Sequence, residues 1–503
     1  MFHTRTALIV WVGVLACAGV PALGQEYSRL WGADGSAFDP RGRLADFSYA
    51  GYRFGDEAIP ELAVVASVAD LGAVADDEGD DTEAFRRAIA ATDSGAIRIP
   101  AGRYLLSDIV WIEKPGIVLR GDGAGVTTLH FTSTLEDVRP NMGATTGGKP
   151  TSNYSWSGGF LWVRGAFGGS DRISVVGDAR RGDRVLKLKH VGGLRVGQRV
   201  LIEQVDNDER TLLGHLYAGD PGDTRKLTGA LRPMLVASIE SIDGDRVTLN
   251  RPLRWDVRTA WSPTVRAFSP SVHDVGIEGM TISFDAVPYE GHFSELGRNA
   301  IAFNRTSDCW VRDVVIRNCD SAIFFTGVQG TIDGLRVESS RDPHRLTQGH
   351  HGVTMGLDNL LTNFVFETHF IHDITMTRLS AGNVIKNGSG VNLSLDHHKR
   401  ANHANLYCNL DAGDGGDLWR CGGGASLGKH AGAWTTFWGI RTRRPVSWPR
   451  ASFGPDLMNL VGLHSEQDET VSETGRWFEA IDPELLEPRD LHAAQLQRRL
   501  DAD

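Results

Sequence analysis

Short pairs of mostly apolar residues recur along the middle of the chain, and this repetition constrains the fold more than any other feature of the sequence. The pairs begin 39, 21, 29, 20 and 22 residues apart, and they are Val275/Ile277, Val314/Ile316, Leu335/Val337, Phe364/Phe366, Val384/Lys386 and Leu406/Cys408. Three of the five intervals are close to the length of one solenoid coil, about 20 to 25 residues, and the longer two allow inserted loops. The pattern therefore predicts an all-β solenoid of stacked parallel coils.

Asparagines add a second repeat to this region. Asn363, Asn383 and Asn405 each precede one of the last three apolar pairs. An inward ladder of Asn side chains can satisfy the backbone polar groups of the turns. We expect these three residues to form such a ladder.

The segment from Val68 to Leu106 predicts how the coil begins. Its order is a short strand, an acidic turn, a helix that starts at Asp81 or Thr82, a second strand and a Pro-Ala-Gly turn. The segment resembles the opening of the pectate-lyase-like right-handed parallel β-helices at Asp81, Thr82, Ala84, Ile89, Pro100, Gly102 and Tyr104. The resemblance extends to about Asp411, and it implies an N-terminal helix that covers the open end of the coil.

The remaining patterns divide the chain into regions. The 59 glycines among 503 residues indicate many tight turns, and residues 177–257 alternate apolar and polar residues around Gly-Asp turns, as antiparallel hairpins do. We predict a signal peptide at 1–24, a cap and first coils at 25–176, an inserted antiparallel β subdomain at 177–257, main coils at 258–430 and a closing segment at 431–503. Leu491, Leu496 and Leu500 predict a short amphipathic helix that caps the far end.

The N-terminus has the features of an export signal. Arg5 precedes an apolar stretch from Ala7 to Val20, and a small-x-small site ends at Gly24, so the mature chain is expected to begin near Gln25. The alternative is a lipoprotein signal with lipidated Cys17. No later apolar run reaches the ~18 residues of a membrane span. We expect a secreted or periplasmic protein, and the net charge of −11 argues against a nucleic-acid partner.

Five cysteines are too few for a disulfide scaffold. Cys309, Cys319, Cys408 and Cys421 remain after export, and they are either core thiols or the members of two optional disulfides.

Polar residues that could carry chemistry concentrate between Ser394 and Gly424. In a strand over residues 390–396 the inward side chains would be Val391, Leu393 and Leu395, and the outward ones Asn392, Ser394 and Asp396. The residues expected at its end are His397, His398, Lys399 and Arg400. His350 and His351 begin an earlier coil, and His372 lies between the two clusters. Coils stacked in register would bring these groups into one groove. The alternative for His350 and His351 is that they are ordinary turn residues, and the alternative for Asp396, His397 and His398 is a structural role.

The family resemblance does not choose an activity, because related chains include lyases, hydrolases, epimerases and adhesins. The motif set of the polygalacturonase-type hydrolases is incomplete, with only a superficial GHHG match at residues 349–352. We expect a lyase that cleaves an acidic, uronate-containing polysaccharide by β-elimination. The expected catalytic residues are His398, His351, Arg400, Asp396 and His397. The expected substrate-binding residues are His350, His372, Arg443 and Trp448.

In this scheme His398 or His351 removes the C5 proton, and Arg400 binds the carboxylate. Two other functions stay open. A hydrolase would use two carboxylates from Asp358, Asp373 and Asp396, and a non-catalytic glycan-binding protein would use the strand faces alone. No residue is a firm metal ligand. Ca²⁺ is possible through Asp411, Asp414 and Asp417, although Gly-Asp turns explain the same spacing.

Overall fold

The computed structural model describes residues 24–342 and 344–502. The predicted signal sequence up to residue 23, including Cys17, lies outside these ranges. No helix within them is both long enough and apolar enough to cross a membrane.

The described residues contain four α-helices, which are α1 Thr82–Ala91, α2 Leu135–Val138, α3 Thr211–Leu216 and α4 Leu491–Leu500. The same residues contain four short 3-10 helices, which are Tyr52–Gly55, Ala69–Leu71, Asn153–Ser155 and Thr259–Trp261. Their strands are β1 Glu26–Tyr27, β2 Val64–Ser67, β3 Gly95–Ile99, β4 Gly102–Leu106, β5 Val110–Ile112, β6 Ile117–Gly121, β7 Thr127–Phe131, β8 Ala144–Thr146, β9 Lys149–Thr151, β10 Leu161–Arg164, β11 Phe167–Gly168, β12 Ile173–Ser174, β13 Val185–Lys187, β14 Arg199–Glu203, β15 Met234–Asp243, β16 Arg246–Leu249, β17 Thr264–Ala267, β18 Ser269–Pro270, β19 Gly276–Phe284, β20 Asn299–Asn304, β21 Trp310–Arg317, β22 Ser321–Val328, β23 Thr331–Glu338, β24 Gly349–Leu357, β25 Leu360–Thr362, β26 Val365–Phe366, β27 Phe370–Ala381, β28 Val384–Gly390, β29 Leu395–His397, β30 Leu406–Asp411, β31 Thr436–Arg441, β32 Asn459–Leu463, β33 Thr470–Val471, β34 Trp477–Glu479 and β35 Leu486–Glu487.

Two parallel sheets run the length of the body. The first has seven strands in the order β5-β10-β20-β22-β24-β27-β29, and the second follows β2-β3-β6-β19-β21-β23-β25-β28-β30-β31-β32-β34. From β5 to β30 the coils add strands to both sheets, and the later coils continue only the second sheet through β31, β32 and β34. The predicted right-handed parallel β-helix is confirmed.

The interior is filled by stacked apolar side chains. Ile277, Val311, Ile332, Leu361 and Ile385 occupy equivalent positions in successive strands, and each is at most 1% exposed. Such a stack buries the neighbouring coils against each other, which makes the solenoid stable only as an array.

The apolar pairs seen in the sequence belong to two different cores. Val314 pairs with Leu335 in the coil interior, whereas Val384 pairs with Leu406 on the outer side of the coil, in the core shared with the N-terminal segment and α4. The interval between Phe364 and Val384 is therefore not a coil step. The strand partner of Val384 in the preceding coil is Leu360.

The Asn ladder exists, but its first member differs from the predicted one. The backbone N–H of Asn359 donates to Asn383 Oδ1 at 3.1 Å, and that of Asn383 donates to Asn405 Oδ1 at 3.1 Å. All three are at most 1% exposed. Asn363 instead donates from its side chain to Asp333 at 2.7 Å in an exposed position, so the ladder prediction is right for two residues and wrong for Asn363.

Helix α1 covers the start of the coil as predicted. Phe85, Ala88 and Ile89 are buried on its inner face, and the ring of Phe85 meets Tyr104 edge-on with 5.9 Å between centroids. The helix thereby closes an apolar interior that would otherwise open to solvent.

An antiparallel sheet interrupts the coils. Its strand order is β12-β17-β14-β15-β16-β13, and it has its own buried core around Val200, Leu235 and Trp255. Arg251 and Arg254 both contact the carboxylate of Asp358, and all three side chains are at least 95% buried. This buried ion cluster attaches the inserted sheet to the end of β24.

The two ends of the described chain meet on the side of the solenoid. Strand β1 pairs with β35, and Trp31 and Phe47 share a core with Trp438 and Leu491. The N–H of Leu491 donates to Cys408 Sγ in β30, so α4 packs beside the middle coils. The expectation that this helix caps the far end is wrong, because its apolar face is needed by the N-terminal segment.

The four cysteines of the described residues are free, and Cys309, Cys319 and Cys408 are buried. Of the two alternatives that the sequence leaves open, core thiols or two disulfides, the structure has free thiols.

Candidate active site

Three adjacent strands of the seven-stranded sheet bring the predicted histidines together. His351 in β24 pairs with His372 in β27, and Thr375 in β27 pairs with Asp396 in β29. The side chains of His351 and His372 meet Thr375 and Asp396 on one side of the sheet, where His351 Nδ1 lies 3.1 Å from Thr375 Oγ1 and His372 Nδ1 lies 3.5 Å from Asp396 Oδ2. The two strands depart here from strict alternation of faces, because Val353 and Ile374, two residues further along, are in the apolar interior. We call His292, His350, His351, His372 and His398 the histidine cluster.

Asp396 lies at the centre of the hydrogen bonds in this cluster. Its Oδ1 accepts the backbone N–H of Gly422 at 2.7 Å, and its Oδ2 lies 2.9 Å from His398 Nδ1. Burial opposes its ionisation, yet the adjacent His372 and His398 and the hydrogen bonds hold the pKa of Asp396 well below its usual range. The carboxylate is therefore charged at neutral pH.

The charge of Asp396 decides where the imidazole protons sit. A carboxylate only accepts, so the Thr375 hydroxyl must donate to Asp396 Oδ2 across 3.1 Å. Thr375 Oγ1 then accepts from His351 Nδ1, 3.1 Å away. By the same reasoning His398 Nδ1 donates to Asp396. In the neutral form of either ring, the nitrogen without a proton is therefore Nε2.

The two histidines differ in access. His351 is 5% exposed, whereas the side chain of His398 is 32% exposed. His398 Nε2 is therefore the nitrogen of the pair that a large polymer can reach.

Burial keeps the deeper members of the cluster uncharged. Desolvation lowers the pKa of His350 and His351 well below the usual value, and the neighbouring imidazoles act in the same direction. Desolvation also lowers the pKa of His372, which Asp396 only partly offsets. Three neutral imidazoles therefore stand side by side at neutral pH.

His292 and Glu295 complete the cluster from a loop between β19 and β20, and the sequence analysis missed both. His292 stacks on Phe293 with 3.6 Å between centroids and meets His350 edge-on at 4.5 Å. Glu295 Oε1 lies 3.2 Å from His350 Nδ1, and it accepts the Tyr289 hydroxyl at 2.5 Å. The loop has no periodicity, so its only sequence signal was a His and a Glu three residues apart.

Arg420, and not Arg400, is the arginine whose charge acts on members of the cluster. Arg420 Nη1 donates to Asp417 Oδ2 at 3.0 Å, and its charge contributes to lowering the pKa of His292 and His372, in both cases after the larger effect of burial. Arg400 is exposed, and within the described ranges its side chain forms no hydrogen bond or ion pair with another residue. Its charge acts instead on Arg378, whose pKa is lowered chiefly by burial.

His397 lies on the opposite face of its strand from Asp396. Its Nδ1 is 2.6 Å from Asn402 Oδ1, and the rings of Tyr407 and Phe453 surround it at 5.4 Å each. Burial lowers its pKa to about 4. The structure thus places His397 in the coil interior and separates it from the cluster, as expected for the residue after an outward-facing one.

The strand that carries Asp396 is shorter than predicted. It begins at Leu395, and Gly390 ends the preceding strand β28. Leu393 and Leu395 are buried as expected, but Val391 is 42% exposed because the chain turns there. The inward assignment of Val391 is therefore wrong.

Arg443 and Trp448 lie beside the segment 411–423 that carries Arg420 and Gly422. The backbone N–H of Arg443 donates to Gly413 at 2.8 Å, and its side chain is exposed. Trp448 is half-buried, with the guanidinium of Arg476 5.3 Å from its ring centroid. In the described part of the chain neither residue forms a hydrogen bond or an ion pair with the histidine cluster.

The remaining predicted carboxylates have structural partners. Asp358 is neutralised by Arg251 and Arg254, and Asp373 accepts the backbone N–H groups of Phe370 and Ser394 at 2.9 and 2.8 Å. Of the three hydrolase candidates, Asp396 is the one that faces the histidines.

The three aspartates considered for Ca²⁺ bind different groups. Asp411 accepts the N–H of Gly413, Asp414 pairs with Arg444, and Asp417 pairs with Arg420. Their oxygens are committed to turns and ion pairs, so this spacing of aspartates does not build a common site.

A cleft of about 880 Å³ lies elsewhere, between the N-terminal segment and α4. Trp31, Tyr49 and Arg498 are among its lining residues, and no member of the histidine cluster is. Because the titratable groups converge on the open sheet face and not in this cleft, we place the candidate chemistry at the histidine cluster.

Comparison with known proteins agrees with the fold. Residues 65–157 match the family model described as "Rhamnogalacturonase A/epimerase, pectate lyase-like". No curated protein sequence matches the chain.

Solved structures with similar folds include three proteins of low identity. The tailspike protein gp49 of Pseudomonas phage LKA1 is 13% identical, with a TM-score of 0.43 over 79% of this chain and 70% of that chain. PfbA, a surface adhesin of Streptococcus pneumoniae, is 12% identical, with a TM-score of 0.42 over 81% of this chain and 80% of that chain. The A-module of the Azotobacter vinelandii mannuronan C-5 epimerase AlgE6 is 11% identical, with a TM-score of 0.33 over 79% and 80%.

The register of the coils shows a right-handed parallel β-helix, and residues 65–157, which form its first coils, are similar to the pectate-lyase-like family of rhamnogalacturonase A and epimerase.

Proposed function

We propose that the protein is an exported lyase that cleaves a uronate-containing polysaccharide by β-elimination. The observation that supports this most is the pairing of buried Asp396 with partly exposed His398, 2.9 Å apart. The signal-like residues 1–24 support export. The family match at residues 65–157 supports a carbohydrate substrate.

The proposed base is His398 Nε2. Asp396 holds the proton on Nδ1, so the lone pair of Nε2 faces solvent and the incoming sugar. This nitrogen takes the C5 proton, the C5 electron pair forms the C4–C5 double bond, and the bond from C4 to the glycosidic oxygen breaks. The leaving oxygen takes a proton from water at the exposed side of the cluster, and the imidazolium formed is stabilised by Asp396.

The proposed carboxylate partner is Arg420. A cation on the uronate carboxylate makes the neighbouring C5 proton more acidic, and a guanidinium binds a carboxylate through two parallel hydrogen bonds. Arg420 lies two residues before Gly422, whose N–H donates to Asp396 at 2.7 Å, and its charge contributes to lowering the pKa of His292 and His372 after the larger effect of burial. It takes the role that the sequence analysis gave to Arg400.

Hydrolysis receives less support from the geometry. That reaction needs two carboxyl groups on either side of the scissile bond, and Asp358 and Asp373 are held by structural partners. A purely binding role does not require the uncharged imidazoles and the oriented Asp396, which are the features of proton-transfer sites.

The test is to incubate the purified protein with a panel of acidic polysaccharides and to record ultraviolet absorbance from new double bonds. We expect an absorbance increase on a uronate-containing polymer. New reducing ends without absorbance would indicate hydrolysis, and binding without new ends would indicate a glycan-binding protein. Either result contradicts the proposal.

Two arginine variants sharpen the assignment. Arg420→Ala should lose most turnover, because it removes the cation beside the histidines. Arg400→Ala is the matched control, since Arg400 is exposed and contacts no member of the cluster. Equal loss in both variants, or loss in Arg400→Ala alone, would reject Arg420 as the carboxylate partner.

A further inference from the structure

We infer that His292, His350 and His372 form a binding site for a divalent transition metal ion of the zinc class. One ring nitrogen of each of these three residues lies within 4.8 Å of the others. This spacing is close enough for small side-chain adjustments to bring all three nitrogens to about 2.0 to 2.1 Å from one zinc ion.

The hydrogen bonding of His372 points independently to a ligand. The residue is 3% exposed, and neither of its ring nitrogens has a hydrogen-bond partner in the described part of the chain. Buried polar atoms in native proteins are almost always paired, because an unpaired one loses its water without compensation. Coordination of a metal ion by one nitrogen would supply the missing interaction.

Two carboxylates are placed to orient the ligands. Glu295 Oε1 is 3.2 Å from His350 Nδ1, and Asp396 Oδ2 is 3.5 Å from His372 Nδ1. Metal-binding histidines usually face a carboxylate or carbonyl with the second nitrogen, which fixes the ring and strengthens the donor. Glu295 is itself held by hydrogen bonds from Tyr289 and Ser155, so the His350 ligand has a fixed support.

The donor atoms select the ion. Imidazole nitrogen favours zinc and its neighbours among the transition metals, whereas Ca²⁺ and Mg²⁺ require oxygen ligands. Three protein ligands leave one coordination position free for water or another oxygen ligand. His292 is exposed, so this free position is reachable from solvent.

The inference goes beyond the proposed function and does not depend on it. Binding uses His292 and His350, neither of which takes part in the proton transfer assigned to His398 and Asp396. His372 borders both groups, because one of its nitrogens also lies within 4.8 Å of Asp396 and His398.

The experiment is a calorimetric titration of the full chain with Zn²⁺, after dialysis against a chelator and without substrate. We expect one Zn²⁺ per chain. His292→Ala should weaken affinity at least tenfold, and because His292 is exposed this variant should fold normally. Glu295→Gln should weaken affinity by about 10- to 100-fold through the orientation of His350. His190→Ala, which changes an exposed histidine in the inserted sheet, should bind as the wild type does.

Three results would overturn the inference. The first is no Zn²⁺ binding by the chelator-treated protein. The second is unchanged affinity in both His292→Ala and Glu295→Gln. The third is loss of binding in His398→Ala with full binding in His292→Ala, which would assign the ion to His372, Asp396 and His398. Retained Zn²⁺ binding in a protein that cleaves no polysaccharide would reject the lyase proposal and support the metal site.

Discussion

Two stacks of polar side chains cross the coils, and they differ in how completely their hydrogen bonds are satisfied. In the Asn ladder, Asn383 accepts from Asn359, and its amide donates to Gly356 at 2.8 Å and to Asn405 at 2.9 Å. In the histidine cluster, both nitrogens of the equally buried His372 lack a partner. A stack whose polar groups are all hydrogen-bonded stabilises the fold. A stack that keeps buried polar groups without hydrogen bonds loses stability, and it is a candidate for binding and catalysis.

The largest expected effect is on the activity of the cluster. His398→Ala should lower turnover by about 10² to 10⁴, as removal of a general base does, and should change the free energy of unfolding by less than about 1 kcal/mol because the side chain is partly exposed. Initial rates on the active polysaccharide and urea denaturation measure the two quantities. Full activity in a folded variant would remove His398 as the base.

The next effect is on the stability of the ladder. Asn383→Ala should lower the free energy of unfolding by about 3 kcal/mol or more, because it leaves the Asn359 N–H and the Gly356 carbonyl unpaired. Activity per folded molecule should persist. Asn363→Gly is the control, since it removes an exposed amide at a residue with φ of +53°, which glycine adopts freely. Similar losses of stability in the two variants would contradict the conclusion that Asn383 belongs to the buried ladder and Asn363 does not.

Lowering the pH should reduce the free energy of unfolding through buried histidines outside the cluster, whereas surface histidines should have no such effect. Burial lowers the folded-state pKa of His215 to about 4 and that of His403 to about 3. Between the unfolded value near 6.5 and these values the unfolded chain binds more protons, so stability falls as the pH falls below about 6.5. At pH 5 each residue should account for a loss of about 2 kcal/mol.

Urea denaturation at pH 7.5, 6.5 and 5 measures this loss. His403→Gln should reduce the pH dependence, and His190→Ala should leave it unchanged. A pH-independent free energy of unfolding over this range would show that neither residue is held neutral.

The smallest effect concerns the support of Asp396. A Cβ on Gly422 would come within 2.5 Å of His398 Cε1 and 2.7 Å of His372 Cε1. Gly422→Ala should therefore displace the segment that donates to Asp396, with a loss of about tenfold in turnover, equivalent to about 1.4 kcal/mol. In Gly424→Ala the nearest atom would be 3.4 Å away, and activity should be unchanged. Equal rates would contradict the supporting role of Gly422.

The sequence predicts the fold well because a β-helix repeats its pattern locally. The coil spacing, helix α1 and the antiparallel insertion all follow from short-range periodicity and turn residues. It also selects His350, His351, His372, Asp396 and His398, because strands at equivalent positions of a solenoid are neighbours in space.

The errors arise where position depends on loops or on the exact end of a strand. His292 and Arg420 reach the cluster from segments whose path across the sheet has no period, so nothing in the sequence connects them with His372. Arg400 is close to His398 in sequence, yet the left-handed backbone of Lys399 and Arg400 turns the chain there, and Arg400 is exposed. The catalytic assignment of His397 assumes that the strand ends at Asp396. The strand continues through His397, whose side chain therefore points inward.

The pairing of the chain's two ends has a consequence for cooperativity. A solenoid joined only by nearest-neighbour contacts can open from either end, one coil at a time. Here the Ser28 hydroxyl donates to Glu479 across 451 residues of chain, and the cost of closing so long a loop rises only logarithmically with its length. The contacts of the N-terminal segment with the last coils must therefore break before those coils can fray.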